Sequence, residues 1–76
     1  MLDIKDVHLA IQGIQNDLMK NNAPIHINTV AGSMRAKKED VAFYLNILQA
    51  LGYVHFRNNS AELFSLTESG QSAYIY

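Results

Sequence analysis

Arg35, Lys37 and Lys38 place three of the chain's six basic side chains within four residues. Cations at that density suit phosphate oxygens, because each one displaces a counterion condensed on a polyanion. A little further on, Asn46 carries an amide able to exchange hydrogen bonds with a base edge. Arg57, Asn58 and Asn59 form a second polar group containing one cation. A solvated turn leading into a helix accounts for the basic run equally well. Glu39 and Asp40 follow it directly and would carry negative charge towards the same phosphates.

The residues that could do covalent or metal chemistry are fewer. His8, His26 and His55 fall on separate segments without paired ligand spacing, and the chain has no cysteine, so a zinc site is not expected. Each histidine reads as a surface or partly buried imidazole. Ser33, in "AGSMR", lacks the Gly-x-Ser-x-Gly elbow and any evident base. The acids are scattered, and no glycine-rich loop is present to cradle a phosphate. The expectation is a protein that is not an enzyme and uses neither metal nor cofactor.

Seventy-six residues are enough for one domain, residues 1–76, and no more. A chain of this size buries only roughly 60% of its unfolded surface, so its stability should be marginal without a supplement. Without cysteine that supplement is not a disulfide, whereas 49% hydrophobic residues leave apolar surface for self-association. No apolar run reaches the roughly 18 residues that a membrane span requires. "MLDIKDVHLAIQ" has acids before any basic cluster, unlike a signal peptide. A soluble, cytoplasmic protein is expected. The net charge of −1 is low for a protein whose main partner is a polyanion, although local clustering counts for more than the sum.

The elements that must position these residues follow from periodicity. Val7, Ala10, Ile11, Ile14 and Leu18 recur at helical spacing, predicting a first helix from about Asp3 to Lys20 with Asp3 as its cap. "NNAP" at 21–24 stops it, since the residue before proline is pushed out of the helical region. "IHI" at 25–27 is long enough for one edge strand. Asn28 or Thr29 then caps a second helix through Met34, and "RAKKED" reads as a polar turn. The third helix runs from about Lys37 to Leu51 with Val41, Tyr44, Leu45, Leu48 and Leu51 as its core stripe, and Gly52 ends it. "YVHFR" and "ELFSL" have strand character on either side of a "NNSA" loop. Thr67 can cap a short last helix, which Gly70 and the tyrosines should weaken.

Helix, short strand, helix, turn, helix and two-stranded hairpin, in that order, resemble a winged helix-turn-helix domain over roughly residues 3 to 74. The resemblance is strongest in "VAGSMRAKKEDVAFYLNILQALGYV", where small Ala31 lets two helices cross closely and Gly52 lets the chain reverse into the wing. "FSLTESG" is similar to the strand and "LTxxG" ending of winged regulators of the MarR and PadR kind. The implied fold is α+β: a three-helix core with a two-stranded wing and a short C-terminal helix.

What such domains commonly do implies that the start of the third helix enters the major groove of double-stranded DNA and that basic side chains on the wing meet phosphates. By position, Lys37, Lys38, Asp40, Ala42, Phe43 and Asn46 would face the groove, with Arg57, Asn58 and Asn59 on the wing. Arg35, Lys37, Lys38 and Arg57 suit phosphate contact. At about 100° per residue, however, Ala36, Phe43, Ile47 and Ala50 fall on one stripe away from the core face. On a DNA-reading helix that stripe should be polar, and an exposed apolar stripe marks a protein interface; cover by the wing or the first helix would also account for it. Two readings therefore stand. One is a DNA-binding, transcription-regulating module. The other is a module that docks another protein through Phe43 and Ile47 without nucleic acid. A homodimer is expected through terminal elements, with Leu9, Tyr74 and Tyr76 as interface candidates.

Overall fold

The structure is a computed structural model, and it describes residues 2–19, 23–57 and 60–73 of the chain. Its elements are α1 (Ile4–Leu18), β1 (Ile25–His26), α2 (Ile27–Met34), α3 (Lys38–Ala50), β2 (Val54–Phe56), β3 (Leu63–Leu66) and α4 (Glu68–Ser72). The strands form one antiparallel sheet in the order β1-β3-β2. Ile25 lies opposite Phe64, and Val54 opposite Leu66. The third strand comes from the "IHI" segment: Ile25 and His26 pair along β3, on the side away from β2, and Ile27 opens α2.

Asp3 caps α1 as expected, its carboxylate accepting the Asp6 N–H at 3.0 Å. Thr67 caps α4, its hydroxyl accepting from the Gly70 N–H and donating to the Gly52 carbonyl at 2.7 Å. Gly52 has φ +82, the left-handed turn that releases the chain from α3 into β2. The cap of α2 differs from expectation. His26, not Asn28 or Thr29, precedes the first helical residue, and its Nδ1 accepts the Asn28 N–H at 3.0 Å. An imidazole nitrogen on extended backbone does here what an Asn or Ser oxygen usually does.

Val7 and Ile11 of α1, Val30 and Ala31 of α2, and Val41, Leu45 and Leu48 of α3 meet Ile25, Ile27, Val54, Phe64 and Leu66 in one buried core. Two leucines that share the apolar spacing of their helices lie largely outside it. Leu18 is 47% exposed and Leu51 52% exposed. Both stand where a helix ends, so the stripe continues in sequence but its last member is only about half covered; Leu51 follows the final residue of α3, just where the chain turns away. Tyr44 packs only partly against the core and donates its hydroxyl proton to the Leu2 carbonyl at 3.0 Å.

His8 is a further correction. It is 1% exposed, within hydrogen-bond distance of the Gly70 carbonyl (Nε2 to O, 2.7 Å), and its ring stacks on Tyr53 with centroids 5.4 Å apart. Gln12 joins it, its amide donating to the carbonyls of Gly70, Gln71 and Ala73. These two side chains of α1 clasp α4. Gly70 is what lets α4 come so close, for a Cβ there would lie 2.1 Å from the Tyr53 carbonyl oxygen. The residue expected to weaken the last helix is the one that seats it. Among the described residues, no helix is long and apolar enough to cross a membrane.

Candidate nucleic-acid interface

The basic run occupies the turn between α2 and α3. Arg35 closes α2 in the left-handed conformation, φ 54, with its N–H directed at the carbonyls of Ala31 and Gly32. Lys37 precedes α3 on extended backbone and makes no side-chain cap bond. Both side chains are exposed. Glu39 and Asp40 occupy the first turn of α3, where carboxylates favour the positive end of the helix dipole. They are therefore explained by the helix itself, whatever it binds.

Lys38 is engaged. Its Nζ forms an ion pair with Oε1 of Glu62, and the other carboxylate oxygen of Glu62 lies 3.6 Å from Nε2 of His26. The hydrogen bond and charge of Lys38 hold the Glu62 carboxyl below its ordinary value, with His26 adding to the effect. Glu62 also ties its own backbone into the fold. Its carbonyl accepts the Ile27 N–H at 2.8 Å, and its N–H donates to the Ser60 hydroxyl at 3.1 Å. One residue thus joins the start of α2, the start of α3 and the loop end of the hairpin.

Two of the expected phosphate contacts, Lys38 and Arg57, lie at or beside that junction. The Arg57 N–H bonds the Leu63 carbonyl at 2.9 Å, directly beside Glu62. Lys38 and Arg57 thus meet the hairpin beside Glu62, while Arg35 and Lys37 stand in the turn before α3, on the side of Leu2 and Asp6. Arg57 is half-buried and already has a partner. Asn46 stands exposed two turns along α3. Asn58, Asn59, Tyr74 and Tyr76 lie outside the described residues.

The apolar stripe of α3 is only partly covered. Phe43 is 61% exposed and meets Tyr44 edge-on at 5.2 Å, while Ile47 and Ala36 are half-buried and Ala50 is exposed. Leu9 is exposed on α1, a different element. Between the two helices opens a groove of about 560 Å³ lined by Leu2, Asp6, Met34, Arg35, Ala36, Lys37 and Asp40. Two acids and two bases balance there, so the groove selects neither sign of charge. Among the described residues no three His, Asp or Glu side chains come together as a metal site.

Sequence reasoning did not find Glu62 or the part His26 plays. The contacts of Glu62 with Lys38 and His26 have no local signature, because these partners lie far along the chain and only the fold brings them together. No protein-family model, curated protein or solved structure matches the chain.

Proposed function

We propose that the chain is a winged helix-turn-helix module that binds double-stranded DNA, without enzymatic activity, in transcription regulation. The order of helices and the three-stranded sheet are compatible with that fold. The observation that carries the reading is that Glu62 ties Lys38, the first residue of α3, to the hairpin beside Arg57, with Arg35 and Lys37 in the turn just before that helix. On this reading α3 enters the major groove, the hairpin lies along the backbone, and Asn46 is the base-reading side chain. Binding of random-sequence duplex, measured across salt, tests it. Affinity is expected at about 50 mM salt and should fall steeply as salt rises, as counterion release requires. Absence of binding at low salt overturns it.

A second reading rests on Phe43. A phenylalanine 61% exposed in the middle of α3, with Ile47 one turn further on, suits a pocket on another protein better than a groove of base edges. The two readings respond oppositely to substitution. With DNA as partner, Lys37→Glu with Lys38→Glu removes most affinity and Phe43→Ser little. With protein as partner, Phe43→Ser abolishes binding and the lysine changes alter chiefly the association rate.

A further inference from the structure

The geometry points to a phosphate subsite between Lys38 and His26 that the chain's own Glu62 carboxylate occupies, so that Glu62 restrains binding by competing with nucleic-acid phosphate. The inference rests on the DNA-binding reading for its biological ligand, though the subsite itself can be tested apart from it.

Three observations build the subsite. First, the two donors face one carboxylate from different elements: Lys38 Nζ on one oxygen and His26 Nε2 at 3.6 Å from the other. Second, the tautomer of His26 is fixed by its cap. Nδ1 accepts the Asn28 N–H, so in the neutral ring the proton sits on Nε2, the nitrogen nearer Glu62 at 3.6 Å. Third, the site is open to solvent, with all three side chains between 42% and 44% exposed. A phosphodiester carries the same single negative charge as the carboxylate and presents two free oxygens. It can take the place of Glu62 between the same donors once the glutamate swings outward.

Lys38 heads the helix proposed to enter the groove, and its charge is countered there by the Glu62 carboxylate. Glu62 lowers the electrostatic share of the affinity, which does not depend on base sequence. It thereby leaves a larger share of discrimination to contacts further along α3.

The test uses the whole chain in two arms. In the first, inorganic phosphate is titrated and the His26 ring and Lys38 Nζ are followed by NMR. In Glu62→Gln the two groups should shift together and saturate, whereas in the wild type they should move weakly. In Glu62→Gln with Lys38→Gln the response should disappear. No saturable shift in Glu62→Gln, with the variant shown folded by its amide spectrum, overturns the proposal. Glu62→Asp covers the case in which Glu62→Gln does not fold: its shorter side chain keeps the charge but draws back from Lys38, and its response should lie between the two. The second arm measures duplex DNA binding against salt. Glu62→Gln should tighten binding and steepen the slope of log affinity against log salt by about 0.9, the value of one added phosphate contact. Asp17→Asn removes the same charge from an exposed position on α1 and should leave the slope unchanged. Equal effects of the two variants overturn the competition. If no form binds duplex while phosphate still saturates Glu62→Gln, the DNA reading fails and the subsite stands.

Discussion

Gly70 and Glu62 show how much a single side chain, or its absence, decides here. A Cβ at Gly70 would press on a backbone oxygen, which has no rotamer to escape into. In an open helix, Gly→Ala stabilises by up to about 1 kcal/mol. Here Gly70→Ala is expected to destabilise by about 1–3 kcal/mol, the usual cost of overpacking. A thermal melt gives the sign directly, and a stabilised variant would mean that α4 is not seated on Tyr53. Glu62 makes a different prediction, in pH. Its folded value is depressed below the ordinary 4.5 by Lys38 first and by His26 as a lesser contributor. The stabilisation it supplies is therefore present above that ordinary value and lost as pH falls through the depressed folded one. The difference in melting temperature between the wild type and Glu62→Gln should be constant near neutrality and shrink as the solution is acidified below the carboxylate range. A difference that persists in acid would show that Glu62 acts through its shape or hydrogen bonds rather than its charge. Neither residue announced this in the sequence. A glycine in a short helix reads as weakness, and a lone glutamate in a strand reads as solvent-facing, until the partners across the fold are known.

Elements were more legible, because period and caps are local properties. The apolar spacing of Val41, Leu45 and Leu48 points to the buried face of α3, and Asp3, Thr67 and Gly52 mark ends that the structure keeps. Leu48→Ala is accordingly expected to cost about 2–5 kcal/mol, the range for truncating a buried leucine. A change under about 0.5 kcal/mol, the size of an ordinary surface substitution, would place Leu48 outside the core. Periodicity does not say where packing stops: Leu18 and Leu51 share the apolar spacing of their helices and lie exposed. Nor could it show that α1 reaches across to α4, since that contact is made by His8 and Gln12, polar residues that a hydrophobic pattern passes over. The candidate site divides along the same line. Its cations were visible as a cluster in sequence, while the junction at Glu62 that brings the α3 start to the hairpin exists only in three dimensions.

For the molecule as a whole the open matter is what its apolar surface does. Leu9, Leu18 and Met19 are exposed along and just beyond α1, and Phe43 and Leu51 along and just beyond α3. A domain of 76 residues has little core with which to offset that exposure. Association of two copies through α1 would cover part of it. It would also leave α3 free in each copy, as two-fold readers of adjacent major grooves require, with half-sites about 34 Å apart. Sedimentation from micromolar concentration upward is expected to show a dimer, and Leu9→Gln to shift the equilibrium towards monomer. Dissociation caused by Phe43→Ser instead would place the interface on α3. That outcome would bury the helix proposed to enter the groove and turn the balance to protein docking. A monomer throughout the range removes self-association, and the exposed faces of α1 and α3 are then left for a different partner. The same samples give the link to DNA: if dimerisation through α1 is what pairs two α3 helices, Leu9→Gln should weaken duplex binding at half-sites one turn apart while leaving non-specific, salt-dependent binding to short random duplex nearly unchanged.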